Sequence, residues 1–397
     1  MPAEGFTEPR FDAVRAVFED NLTSGRDVGA AFAVFHRGQP VVDLWGGLAD
    51  PDSATPWGEH TLAVVYSSTK GAAAVCANRL CELGELDVGA PVAHYWPEFA
   101  GGGKGAVTVE HVLTHRAGLP WVDDELTLAE VLAGRPLVEA LERQIPVWEP
   151  GTQHGYHAVT FGTLVGELVR RVTGRSLGTY FREEVAMPLG LDLHIGLPAA
   201  DEVRVAPIIG MLGIDPALAE EKPEVAALLE QVMGPGTPLG KALTVNGALD
   251  RSEGIDAPGG NVFNSVAVHA AELPAANGIS DARSLARMYA ACIGETDGVR
   301  ILGEDQMRLA ARQHTSGGNS VLFGIDLQFG LGFFARCSVA PFGGEGSFGH
   351  GGAGGSLGWA DPAAELAFGY VMNRMETGLT GDERASSLLE ATYRALG

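Results

Sequence analysis

The chain has 397 residues, 46% of them hydrophobic and 19% charged, which is long enough to bury a large core without a disulfide or metal staple. Twenty-seven basic residues against fifty acidic ones leave a formal net charge of −23, which argues against nucleic acid and anionic membrane surfaces as partners. The cysteines, Cys76, Cys81, Cys292 and Cys337, have spacings that fit neither a disulfide scaffold, a zinc site nor a redox pair.

The opening MPAEGFTEPR lacks the basic start and apolar run of a signal peptide, and no window approaches about 18 uncharged apolar residues. The expectation is a soluble cytoplasmic protein. Residues 9–22 read as a helix with Phe11, Val14, Val17 and Phe18 on one face. Strands follow at 29–35 and 40–45, joined by a turn at 36–39. Residues 62–66 read as a short buried strand, and 68–83 as a helix closed by Gly84. From 85 to 290 the pattern is mostly helical with long irregular pieces, clearest as a helix at 159–172. Residues 210–265 are rich in glycine, proline and acidic groups and lack periodicity, as a lid or substrate-pocket insertion would. A helix resumes at 283–293. Strands return at 329–336, at 348–359 around a glycine run, and at 366–372, before a closing helix at 382–396.

Strands therefore come from both chain ends and helices from the middle. The expected fold is α/β of the α+β type: one antiparallel sheet assembled from 1–66 and 285–397, flanked by terminal helices. A mostly helical domain, 67–284, is inserted, with an insertion of its own at 200–270. The active site is expected where the two meet.

The chemistry-bearing segment is Tyr66-Ser67-Ser68-Thr69-Lys70, a Ser-x-x-Lys at the start of a predicted helix. Three residues are nearly one helical turn, so Lys70 shares a side with Ser67. A serine hydroxyl needs a base within hydrogen-bond reach to act as a nucleophile. A lysine can be that base only if burial or nearby positive charge lowers its pKa. Moving it from ~10.4 to ~7 takes roughly 4–5 kcal/mol of destabilisation of the charged form. The helix start also leaves free backbone N–H groups near Ser67 for an oxyanion.

On these residues the chain resembles the serine β-lactamase and penicillin-binding-protein superfamily, and within it most of all the family VIII carboxylesterases, which are similar to class C β-lactamases. The resemblance implies a β-lactamase-like fold and two further elements. In Glu149-Pro-Gly-Thr-Gln-His-Gly-Tyr156-His157-Ala158, Tyr156 matches the tyrosine that shares the lysine's proton and serves the leaving group. Position 158 is alanine, where β-lactamases commonly have an asparagine that holds the acyl amide of lactams. In Gly349-His350-Gly351-Gly352-Ala353, the His350-Gly351-Gly352 triplet stands where Lys-Thr-Gly is expected. The resemblance assigns substrate binding to these three residues, and it makes the Ala353 N–H the partner of the Ser67 N–H in the oxyanion hole. A largely neutral imidazole suits a carboxylate-bearing lactam less than a lysine does, whereas a neutral ester asks for no cation. The 109–120 segment, with His115, resembles a structural loop of the same superfamily.

Trp359 is the expected pocket wall, with Trp121 and Trp148 as further candidates. Two Gly-x-Ser-x-Gly matches, 174–178 and 354–358, lack the strand-then-helix context of a nucleophile elbow. His111 with His115, and His154 with His157, lack further ligands for a metal. No metal and no cofactor is expected. The expected reaction is hydrolysis of carboxylic esters, short-chain acyl esters first, through an acyl-enzyme on Ser67. The partner is a small-molecule ester, with neither nucleic acid nor membrane, and oligomeric state is left open. The alternatives are a β-lactamase or D-amino-acid peptidase type of amide hydrolase, an acyltransferase with an alcohol acceptor, and an inactive binding protein on the same fold.

Overall fold

The computed structural model describes residues 2–210, 223–250, 255–376, 378 and 380–397. Its main sheet contains β1 (Glu4–Thr7), β2 (Gly29–His36), β3 (Gln39–Asp50), β8 (Phe334–Ala335), β9 (Phe348–Gly351), β10 (Leu357–Asp361) and β11 (Leu366–Met372), in the order β1-β3-β2-β11-β10-β9-β8. All these neighbours are antiparallel, and β4 (Thr55–Pro56) hangs on β3. The two chain ends meet at β2 and β11, where Ala31 lies opposite Val371 and His36 opposite Leu366. β5 (Ala63–Val64), β6 (Leu193–His194) and β7 (Ile279–Ser280) form a small separate sheet just before the Ser-x-x-Lys segment.

The side-chain alternation of the central strands explains the layering. Phe32, Val34, Leu44, Phe368 and Tyr370 point to one face, where they pack with Phe11, Val14 and Phe18 of the first helices and Leu388 and Leu389 of the last. The other face carries small residues, Ala31, Ala33, Ala360 and Ala367. This lets the Ala282–Ile293 helix lie close: a Cβ on Gly369 would meet the Ala282 carbonyl oxygen at 2.2 Å. Beyond that helix lies Thr69–Glu82, an alanine-rich helix buried from Thr69 to Asn78. Tyr289 passes between it and the sheet, and a Cβ on Gly71 or Gly358 would collide with its ring or hydroxyl at 2.1 and 2.5 Å.

Most expected elements appear close to their expected places, and the differences have physical causes. The 40–45 strand runs on to Asp50. The exposed edge strand Glu4–Thr7 carries no apolar alternation that could announce it. Only Phe334–Ala335 of the expected 329–336 strand is strand, because the chain folds back at 330–332, where the Gly330 N–H meets the Phe333 carbonyl and Gly332 has φ +86°. The stretch expected to be irregular contains helices Pro223–Met233 and Pro238–Thr244; its residues 211–222 and 251–254 lie outside the described residues. Among the described residues no helix is long and apolar enough to cross a membrane.

Candidate active site

The turn that leads into the Thr69–Glu82 helix presents Ser67. Tyr66, just before it, adopts φ +45°, a left-handed conformation uncommon for a residue with a Cβ and of the kind concentrated at functional sites. Its surroundings hold it there. The Asn261 amide donates to its hydroxyl at 3.0 Å, and its ring packs on Phe263 at 4.8 Å between centroids.

Lys70 is fully buried. Its Nζ lies 3.0 Å from Ser67 Oγ, 2.6 Å from the Ala158 carbonyl and 2.8 Å from the Ala275 carbonyl. Burial drives its pKa well below the ordinary lysine value. Tyr156 packs beside it, with Nζ 4.8 Å from the centre of its ring. Burial raises the Tyr156 pKa, and a hydrogen bond with Ser67 offsets this in part. Tyr156 is positioned from behind: its N–H donates to Asn319 Oδ1 at 3.0 Å, and its ring stacks on Phe329.

A group of neutral histidines surrounds this pair. His115 is fully buried, at φ +58°, and its Nδ1 accepts the His157 N–H at 3.0 Å. Burial first, then the neighbouring His157 and Lys70, keep its pKa well below the usual imidazole value. Burial likewise lowers His157 to about 4; its Nε2 accepts the Leu119 N–H at 3.0 Å. These two imidazoles brace the loop that carries Tyr156. His111 has a different task, completing a capping box with Thr108.

His350 lies on β9, fully buried, with Nδ1 2.7 Å from the Gly351 carbonyl and its ring 3.8 Å from that of Phe334. Burial, then Lys70, push its pKa well down, so it is neutral. Gly352 must be glycine, because a Cβ there would fall 2.2 Å from both the Val65 carbonyl oxygen and Ser356 Oγ. That closeness sets the next residue, Ala353, beside Ser67. Both line one narrow cavity of about 20 Å³, along with Tyr66, Tyr156, Ala158, Val159, Leu243, Phe263 and Ala276. Among the described residues, neither the Ser67 nor the Ala353 N–H donates to a protein acceptor. Two free N–H groups beside a serine hydroxyl are what an oxyanion requires.

The structure thus brings Ser67, Lys70, Tyr156 and Ala353 together, with His350 stacked behind Tyr156 at 6.3 Å. It does not bring Trp359 to the cavity. The alternation of β10 turns that side chain to the opposite sheet face, where it is fully buried against Phe342. Trp121 lies under Lys241 and Trp148 beside His157, and neither lines the cavity. Both extra serines have other work. Ser176 caps the Leu177–Phe181 helix and donates to Glu272, and Ser356 donates to the Val65 carbonyl at 2.7 Å.

The Beta-lactamase family profile matches residues 14–393. The chain belongs to the beta-lactamase family. It is 37% identical over 387 residues to "Esterase/beta-lactamase LipL" of Mycobacterium tuberculosis (strain ATCC 25618 / H37Rv), covering 96% of this chain and 85% of that one. Among solved structures, a family VIII carboxylesterase superposes with a TM-score of 0.86 at 36% identity, covering all of both chains. A penicillin-binding protein homolog from Caulobacter crescentus superposes with a TM-score of 0.83 at 34% identity, also over all of both chains.

Leu243, Phe263, Asn261 and Asn319 were not foreseen from sequence. The first three fall in or beside the stretch without periodicity, and Asn319 in a loop whose only signal is turn-forming composition. Ala158 and Ala275 act through backbone carbonyls, which sequence does not mark.

Proposed function

We propose that Ser67, Lys70 and Tyr156 carry out acyl transfer from a carboxylic ester through an acyl-enzyme on Ser67. The chain is a serine ester hydrolase, in keeping with its esterase relatives. The observation that carries the assignment of roles is the coordination of Lys70. A neutral amine has two N–H bonds and one lone pair. The Ala158 and Ala275 carbonyls take the two N–H bonds, so the lone pair is left for the Ser67 hydroxyl 3.0 Å away.

In this reading Ser67 Oγ bonds to the ester carbonyl carbon as its proton passes to Lys70. The Ser67 and Ala353 N–H groups hold the oxyanion. The carbon–alkoxide bond then breaks, and Tyr156, kept a phenol by its raised pKa, hands a proton to the leaving alkoxide and is refilled from Lys70. Water repeats the sequence on the acyl-enzyme and frees the acid. The site lies where 67–284 meets the sheet-bearing segments 1–66 and 285–397. The small apolar cavity favours short acyl groups. Position 158 offers no side-chain amide and His350 no cation, which disfavours carboxylate-bearing lactams.

The test is hydrolysis of p-nitrophenyl butyrate, with fluorophosphonate labelling, by the wild type, Ser67→Ala and Ser176→Ala. Turnover and labelling should vanish in Ser67→Ala and persist in Ser176→Ala. Wild-type activity in a folded Ser67→Ala protein would place the nucleophile elsewhere.

A further inference from the structure

The inference concerns what holds the two oxyanion donors in register, and it rests on the proposed roles of Ser67 and Ala353. The donors belong to segments nearly 300 residues apart in sequence, so something must fix the Gly352–Ser356 turn against the Ser67 turn. Two clamps span that gap. The inner one is a pair of buried hydroxyls. Ser356 Oγ donates to the Val65 carbonyl at 2.7 Å and lies 3.1 Å from Ser68 Oγ, and Ser68 Oγ lies 3.2 Å from the His350 carbonyl. Each end of the turn is thereby tied to a residue within two positions of Ser67.

The outer clamp is Arg384, 3% exposed. Its Nη2 donates to the Gly354 carbonyl at 2.6 Å and to Asp382 at 2.6 Å, and its Nη1 to Asp27 at 3.1 Å and the Arg374 carbonyl at 2.9 Å. Gly355, at φ +126°, has no room for a Cβ, which would fall 2.4 Å from Asp382 Oδ2 and 2.5 Å from Arg384 Nη2. The Gly352 N–H is held by the Ser356 carbonyl at 2.7 Å and the Gly354 N–H by the Gly378 carbonyl at 3.0 Å. With both flanking peptides tied, the Ala353 N–H between them has one orientation.

We propose that Ser356 and Arg384 are positioning residues that aim the Ala353 N–H at the oxyanion formed on Ser67. Ser356, which resembles a nucleophile in its Gly-x-Ser-x-Gly setting, contributes a hydroxyl tether and no covalent step. A misaimed donor weakens transition-state binding more than ground-state binding. The signature is therefore a loss in kcat with little change in KM.

The experiment compares wild type, Ser356→Ala, Arg384→Lys and, as a control, Ser176→Ala. It measures kcat and KM for p-nitrophenyl butyrate and the inhibition constant of butylboronic acid, whose tetrahedral serine adduct places an oxygen in the oxyanion hole. Ser356→Ala should lose about tenfold in kcat, up to the roughly 10²-fold loss seen when a donor is removed outright, with KM within about twofold. Boronate affinity should fall in parallel. Arg384→Lys, which keeps the charge but cannot span to Gly354, should do the same; if it does not fold, Ser356→Ala decides. Wild-type kcat and boronate affinity in Ser356→Ala would overturn the proposal. Boronate binding needs no ester turnover, so a wild type that binds boronate but hydrolyses no ester would overturn the ester reading while the clamp is still measured. A wild type that binds no boronate would overturn both.

Discussion

Lys70 owes its chemistry to two carbonyls and the absence of water. No carboxylate contributes to its pKa, and burial is the whole cause of the downward shift. The base form therefore fills at lower pH than for a free lysine. kcat/KM should rise with pH through that lowered pKa and then level off. His115 and His350, also pushed down by burial, are neutral over that range and add no falling limb near neutrality. The sign for stability follows: between the lowered and the ordinary pKa the unfolded lysine binds a proton that the folded one has released, so stability rises with pH across that window. Lys70→Arg fixes a charge that cannot accept a proton, and kcat/KM should fall by about 10²–10⁴-fold in a pH–rate series with p-nitrophenyl butyrate. A retained rising limb in that variant would assign the base elsewhere. At this scale the sequence was most legible where side chains do the chemistry in a compact motif. Ser67 and Lys70 are one helical turn apart and could be paired by spacing. The carbonyls of Ala158 and Ala275 and the free N–H of Ala353 are backbone groups that any residue supplies, and only the fold shows where they converge.

Among the elements, helices with a strong apolar stripe and buried strands were readable, as Thr160–Thr173 and Leu366–Met372 show. The insertion was not, because its segments are short and their burial is decided by contacts with distant residues. Pro238–Thr244 and the turn at Val262–Asn264 nonetheless deliver Leu243 and Phe263 to the wall of the Ser67 cavity. Leu243 is the better probe of that wall, since Phe263 also supports Tyr66. Leu243→Ala should lengthen the slot and raise the ratio of kcat/KM for octanoate over butyrate esters by about tenfold or more, the scale on which a few methylenes are discriminated in an apolar pocket. An unmoved ratio would mean that the insertion does not bound the acyl group. Trp359 shows the converse error. Its distance along the chain from Gly352 suggested a pocket wall, but strand alternation assigns it to the other face of the sheet, and a one-residue difference in register decides such a question.

Across the whole molecule, the buried cluster of Asp27, Tyr370, Asp382 and Arg384 joins the two chain ends. Asp27 accepts from Tyr370 at 2.6 Å and from Arg384 at 3.1 Å, with its carboxylate out of water. Asp27→Ala leaves the guanidinium short of a counter-charge in the interior. It should cost about 3–5 kcal/mol, read as a lower urea midpoint at unchanged slope; a midpoint within error of wild type would show that Asp382 alone suffices. The pairing of β2 with β11 has a consequence in time. The strand beginning at Gly29 has no partner on its β11 side until the segment ending at Met372 arrives, and the Ala353 turn belongs to that same late segment. Contacts so distant in sequence form slowly. On a ribosome, Ser67 and Lys70 emerge long before the peptide that would stabilise an oxyanion. The nascent chain therefore carries its nucleophile unarmed, and reactivity begins only as synthesis nears its end.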